Sequence, residues 1–310
     1  MSNLVGRRLK LRHLHMLEVI ATRGSMARAS EQLALSQPAI SKAIADLERD
    51  FDAALLTRGA RGVELTPSGE VLLRRGRIVL DELKQALQEI KNLSDPTAGE
   101  VRLGSIEPLS PFIATMIERT ARRYPKINYH VTFGDVAGLI GALRDRTLDF
   151  VISRAISTES EADLTAEILF RDRIRAVVAP SHPLARRRKV GLQDLVNERW
   201  ALGPPDTFLA QVLAAAFRSQ GLPMPRNVVT SLSIQLRLDL MQTGHFVTVY
   251  SGAMMAHPTR TFAFRSLPVD FGDAAGPMAA ITLKGRQGPG ALKLLQDEMR
   301  SVAKLIAAAE

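Results

Sequence analysis

The segment from Ser36 to Phe51 constrains this chain more than any other. Ser36 can open a helix by accepting a hydrogen bond from an early backbone N–H that has no carbonyl partner. Pro38 falls in the first turn, where its missing N–H costs nothing. Ile40, Ile44, Leu47 and Phe51 then recur at i, i+4, i+7 and i+11, an apolar stripe that must face a core. Gln37, Ser41 and Lys42 point away from that stripe near the helix start. Forked, short and cationic side chains there suit base edges and phosphates in a major groove. The periodicity alone fits a solvated face on an ordinary bundle helix equally well.

The flanking residues shift that balance. Leu11, Leu14, Leu17 and Ile20 predict a first helix stopped at Arg23-Gly24. Ser25 can cap a short second helix, Met26 to Leu33, in which Ala29 is small enough for a close crossing. After the third helix, Leu55 to Leu65 reads as two short strands around a turn bearing Arg58 and Arg61, a wing beside the phosphate backbone or minor groove. Either arginine alone is more often a surface ion-pair partner; two on one tip behind such a helix favour nucleic acid.

Thr66 and Pro67 then open a helix of about 28 residues, roughly 42 Å long. Leu72, Gly76, Val79, Leu83, Ala86, Ile90 and Leu93 form a heptad seam along it. So small an N-terminal domain cannot bury that seam, which points to the same helix of a second chain. Packing along the remainder of its own chain is the alternative. The net charge of +9, from 41 Lys+Arg against 32 Asp+Glu in 310 residues, favours an anionic partner but decides little alone. The densest basic run, Arg186 to Lys189, reads as a solvated turn.

Together these residues resemble the LysR-type transcriptional regulators. Gly24-Ser25, Ala29-Ser30 to Leu33, Ser36 to Lys42 and Leu47-Glu48 carry the helix-turn-helix pattern. Leu55-Leu56, Arg58, Arg61, Leu65-Thr66 and Gly69 carry the wing and the start of the linker helix. Ser30 stands where the family usually has alanine and Leu56 where phenylalanine is commoner; both keep size or apolarity. The resemblance is specific over the first third and looser beyond. It implies a cytoplasmic bacterial homodimer, often assembled to a tetramer, that binds promoter DNA and responds to a small effector. RNA polymerase is a further candidate partner; enzyme activity, cofactors and membrane association are not expected. The DNA-binding candidates are Arg28, Ser36, Gln37, Pro38, Ser41, Lys42, Arg58 and Arg61.

The implied fold is an N-terminal all-α winged helix-turn-helix over residues 1–65 with a long linker helix, 66–93. A hinge at 94–99 leads to a C-terminal α/β two-lobed, periplasmic-binding-protein-like domain over 100–310. Strand and helix alternate from Glu100 onward, with short strands at Val101 to Gly104, Tyr129 to Phe133, Leu148 to Ser153, Ile174 to Ala179, Trp200 to Leu202, Val228 to Thr230, Phe246 to Tyr250 and Ala279 to Leu283, which predicts parallel sheets. Lobe I is expected over about 100–170 and 270–310 and lobe II over about 171–269, with crossovers near Phe170 to Ala176 and Arg265 to Val269. Trp200 reads as a partly buried strand residue.

Ligands of open α/β sheets sit beyond the carboxyl ends of strands, often at helix N-termini. That rule selects Ser105, Ile106, Glu107, Gly203, Pro204, Asp206, Thr207, Ser231, Ser233 and Tyr250, with Arg154 as a carboxylate partner. Taken singly, each reads as readily as a cap or turn residue. Glu107 and Asp206 suit a polyol's hydroxyls, and Asp95 to Glu100 resembles the galactose-binding-protein regulator subgroup. The expected effector is sugar-like or a small organic acid.

Other chemistries find little support. The chain has no cysteine, which excludes disulfides and thiolate metal sites. Its six histidines are dispersed, and His13 and His15 lie two apart, so they cannot converge on one metal from a helix. No nucleophile elbow, Walker loop or dinucleotide turn occurs. An exported solute-binding module would need a secretory leader, and none is recognisable; the stretch of about 20 apolar residues that a membrane span needs is missing too.

Overall fold

The computed structural model describes residues 9–59, 62–92, 95, 97–157, 161–226, 228–252, 263–269, 271, 276–286, 288 and 290–309. The chain divides into two compact units. The first runs to residue 96 and includes the short segment 144–147; the second comprises 97–143 and 148–310.

In the first unit, α1 (Leu11–Arg23) ends at Gly24, whose φ of 61° lets its N–H return to the Ile20 carbonyl. Next come α2 (Met26–Leu33) and α3 (Gln37–Phe51). Ser36 caps α3, its Oγ accepting from the Ala39 N–H at 3.3 Å, with Pro38 in the first turn as the sequence predicts. Ser25 occupies the cap position of α2 without a side-chain hydrogen bond. Leu17, Ile20, Ala29, Ile40, Ile44, Leu47 and Leu55 make the core. Phe51, the fourth member of the expected stripe, is 39% exposed, because the helix ends there and the chain turns at Asp52 with φ 51°.

Strands β1 (Leu56–Gly59) and β2 (Gly62–Leu65) pair antiparallel as the wing. Glu48 of α3 anchors its base, accepting the Leu55 and Leu56 N–H groups at 2.8 and 3.1 Å. The far end is tied to the α1–α2 turn, where the Gly24 carbonyl accepts the Val63 N–H at 3.0 Å. A Cβ on Gly62, whose φ is 122°, would stand 2.3 Å from that carbonyl oxygen, so only glycine permits the approach. Thr66 opens α4 (Pro67–Asn92), accepting from the Gly69 N–H at 3.1 Å and donating to the Ala54 carbonyl at 2.6 Å. The first turns of α4 serve their own domain, with Leu73 buried and Gly76 against Leu14. Val79, Leu83, Leu87 and Ile90, farther along, are exposed.

Among the described residues, the second unit holds two five-stranded sheets. Its elements begin with β3 (Gly99–Ser105), α5 (Ser110–Arg123), β4 (Ile127–Phe133), α6 (Val136–Arg144), β5 (Phe150–Arg154), β6 (Leu164–Arg171) and β7 (Ile174–Val178). They continue with α7 (Leu192–Leu195), β8 (Trp200–Leu202), α8 (Phe208–Ser219), β9 (Val228–Thr230), α9 (Ile234–Gln242), β10 (Val247–Ser251), β11 (Arg265–Ser266), β12 (Pro277–Leu283) and α10 (Gly290–Ala309). The first sheet, lobe I, runs β4-β3-β5-β12-β6; the second, lobe II, runs β11-β7-β10-β8-β9.

The sheets are mixed, correcting the parallel sheets expected. Parallel pairing joins β4, β3 and β5 in one and β10, β8 and β9 in the other. The strands at the crossings reverse: β12 is antiparallel to β5 and β6, and β7 to β10 and β11. A chain that leaves a sheet and later returns to it enters from the opposite end, which local alternation does not reveal. The first crossing lies between Arg171 and Ile174. The second does not fall at Arg265 to Val269 as expected, because β11 pairs with β7 and Leu267, Val269 and Phe271 pack in the lobe II core. Of the expected hinge, residues 94 and 96 lie outside the described residues, and Gly99 already belongs to β3.

Trp200 is fully buried rather than partly so, edge-on to Phe217 at 6.3 Å, with Nε1 donating to the Leu195 carbonyl at 3.0 Å. Buried Asp149 accepts from the Arg102 N–H and side chain and from Arg286, at 2.8, 2.9 and 2.9 Å, holding β3 and the segment after β12 to β5. The Arg186 to Lys189 run is largely exposed, as expected of a solvated turn.

Buried His182 gives this unit a pH dependence. Its Nδ1 accepts the Leu184 N–H at 3.2 Å, and its Nε2 lies 3.6 Å from Glu198. Burial, the largest influence, lowers its pKa from 6.5; Glu198 opposes the shift and His245 adds to it. The unfolded chain therefore takes up a proton before the folded one does. The stability contributed by neutral His182 is present above about pH 6.5 and is lost as the pH falls from there toward the lower folded value. Thermal unfolding is expected to show a decline in Tm between about pH 7.5 and 5.5 that is shallower in His182→Asn, which keeps an acceptor near Nδ1 and does not titrate. Parallel slopes for the two proteins would exclude His182 as the source.

Candidate nucleic-acid interface and effector cleft

The first unit presents the start of α3 outward. Ser36, Gln37, Pro38 and Lys42 are exposed and Ser41 is half-buried, while Ile40, Ile44 and Leu47 face the core. The 3.6-residue period brings Gln37 and Ser41, four apart, to one side of the helix. The Ser36 hydroxyl is committed to the cap, so its contribution is to position the turn. Arg28 is exposed on α2, near Arg23, whose Nε donates to Gln32 at 2.6 Å. Arg58 lies in β1 with its backbone opposite Val63; its side chain, and all of Arg61, lie outside the described residues.

A cleft of about 1040 Å³ opens between the two lobes of the second unit. Of the residues expected at an effector site, Ile106, Glu107 and Arg154 line it from lobe I, and Gly203, Asp206, Thr207 and Ser233 from lobe II. The other expected residues are built into the walls. Ser105 is fully buried and its Oγ donates to the Ile152 carbonyl at 2.9 Å, joining β3 to β5. Pro204 shapes the turn before α8, its carbonyl accepting both the N–H and the hydroxyl of Thr207, at 2.9 and 2.7 Å. The Ser231 hydroxyl accepts the Ser233 N–H at 3.1 Å, and the Ser233 hydroxyl caps α9 by accepting from Leu236 at 3.2 Å. Tyr250 is 5% exposed, with its ring in the small core under α9.

Most of the hydroxyls expected to hold a ligand are thus engaged in local structure, and the charged groups of the cleft are Glu107, Asp135, Arg154, Asp206 and Arg237 among a largely apolar lining. The Arg154 guanidinium lies 3.8 Å over the Phe208 ring, a cation–π contact. Burial lowers its pKa, with Asp172 opposing. Sequence reasoning missed Phe133, Asp135, Phe208 and Arg237, all of which line the cleft. Arg237 follows the Ser233 cap by four residues, a spacing that puts it on the cap's side of the helix. The apolar and polar residues alternating around it hid that position.

Among the described residues no group of three or more histidines and carboxylates could hold a metal ion, and no helix is long and apolar enough to cross a membrane.

The family model for the bacterial regulatory helix-turn-helix protein, lysR family, matches residues 11–70, and that for the LysR substrate binding domain matches residues 94–304. This chain belongs to the LysR family. It is a DNA-binding transcriptional regulator with an effector-binding domain, not an enzyme. The regulator is 32% identical over 232 residues to the HTH-type transcriptional regulator GbpR of Rhizobium radiobacter, covering 74% of this chain and 77% of that one. It is 29% identical over 287 residues to GbpR of Azospirillum brasilense, covering 92% and 84%. Both names fit the subgroup suggested by the sequence. A full-length OxyR from Pseudomonas aeruginosa shares the fold with a TM-score of 0.71 at 21% identity, over 96% of this chain and 97% of that one.

Proposed function

We propose that this LysR regulator reads promoter DNA through Gln37, Pro38, Ser41 and Lys42 at the start of α3, with Arg28 and the wing arginines Arg58 and Arg61 on the backbone. The observation that carries the reading is the outward face of α3: Gln37 and Lys42 are exposed while Ile40, Ile44 and Leu47 close the core behind them. The chain acts in the cytoplasm as a homodimer paired through the exposed α4 seam, which assembles to a tetramer, with RNA polymerase as its target. A small effector, sugar-like or a small organic acid, binds between the lobes, and closure of the cleft shifts the population of DNA-bound arrangements. The sequence resemblance to the galactose-binding-protein regulator subgroup supports a sugar-like molecule; the two arginines of the cleft, Arg154 and Arg237, support an acid.

Lys42 tests the DNA half of this reading. A lysine on a phosphate releases counterions whatever the base sequence. Lys42→Ala is therefore expected to weaken operator and unrelated duplex alike, and to reduce the slope of log affinity against log salt by about 1 per protomer. A slope unchanged across a salt titration would remove Lys42 from the backbone contacts.

A further inference from the structure

Among the described residues, no hydrogen bond or ion pair occupies the Arg237 guanidinium. It is 7% exposed, on the inner side of α9 beside Leu238 and Met241, and it lines the cleft. Its Nε is buried without a hydrogen-bond partner among the described residues, and the neighbouring Tyr250 hydroxyl is buried and unpaired as well. Burial lowers the pKa of Arg237 and raises that of Tyr250; the charges that reach Tyr250 are those of Arg237 and Glu107. A buried cation without a counter-ion is costly, and an apolar side chain of similar size would serve the fold better. The first-turn N–H groups of Ile234 and Gln235 add the positive end of α9, at a point where both residues line the same cleft.

Resting on the reading of the cleft as the effector site, we infer that Arg237 is the anion-binding residue of that site and that the effector carries a carboxylate. The planar guanidinium fork matches a carboxylate's two oxygens, and the ligand supplies the charge that the fold withholds. Arg154, stacked on Phe208, offers a second cation from the lobe I wall. Glu107, Asp135 and Asp206 line the same space and accept only, Asp135 already taking the Gly138 N–H at 2.8 Å, so they face donors on the ligand. The chemistry recognised is that of a small hydroxy- or amino-carboxylate; a neutral sugar would leave Arg237 unpaired.

The test is thermal unfolding of the full-length protein at constant ionic strength. The probes are sodium gluconate, glutamate, malonate and succinate, against glucose and sodium chloride. At least one carboxylate is expected to raise Tm saturably where glucose does not. Arg237→Met should raise the ligand-free Tm and weaken that carboxylate at least about tenfold, the order expected for a lost charged hydrogen bond. Arg237→Lys should keep part of the shift. Asp206→Trp, at an exposed cleft position, should block every probe by filling the space. Carboxylate shifts that are absent, no larger than the glucose shift, or undiminished in Arg237→Met overturn the inference. If they also survive Asp206→Trp, the cleft reading fails with it; if glucose stabilises and Asp206→Trp abolishes that effect, the cleft stands and only the anion assignment falls.

Discussion

A charge placed in the α4 seam is expected to split the regulator into monomers and cost roughly 10²–10⁴-fold in operator affinity. The pair to change is Leu83→Glu with Ile90→Glu. These seam side chains are 42% and 63% exposed in the single chain, with Val79 and Leu87 on the same stretch of helix. Burying such side chains against a partner helix gains about 1.5–3 kcal/mol each, whereas carboxylates there must be desolvated or left to repel one another across a two-fold axis. Because neither side chain belongs to the core around Ile40 and Leu47, the winged domain itself should unfold normally. The affinity falls because two linked heads bind with an effective concentration that separate heads lack. Sedimentation and a mobility-shift titration on one sample decide the matter. Wild-type dimerisation with wild-type affinity would show that the seam is not the interface.

Gln37→Ala is expected to reduce operator affinity by roughly 10- to 100-fold, in line with about 1–3 kcal/mol for a side chain bonded to a base edge. Affinity for unrelated duplex should change little, because that binding is carried by phosphate contacts. The substitution leaves the Ser36 cap and the buried stripe untouched, so helix stability is not the confounding variable. The contrast with Lys42→Ala separates reading from holding: loss of Gln37 should narrow the gap between specific and unspecific duplex, while loss of Lys42 should lower both. Equal losses on both duplexes for Gln37→Ala would assign this residue to the backbone.

Much of the first unit is legible in its residues. Three helices, their caps and stops and the wing follow from local patterns, since a cap, a proline in a first turn and a glycine at a stop act within a few residues of themselves. Phe51 marks the limit of that reasoning: the stripe's period includes it, yet the helix ends before it reaches the core. The seam of α4 is legible as a repeat, but the repeat does not say that its first turns serve Leu14 and only the later positions remain open.

The second unit is less so. Strand and helix order follows from composition, but strand direction depends on when the chain leaves one lobe and returns, a long-range property. The effector candidates divide for a similar reason. Ser105 and Thr207 have the chemistry of ligand partners, yet nearby carbonyls engage their hydroxyls first. Arg237 looks like any surface arginine in the sequence and becomes a buried cation only once α9 packs on β7 and β10. The order of residues was enough to specify the winged head, its outward residues, the seam and the family, because those rest on contacts close along the chain. That Asp135 and Arg237 join the expected Glu107, Arg154 and Asp206 in the cleft emerged only in three dimensions, because burial and pairing there arise between segments far apart in the chain, as Ile106 and Arg237 are.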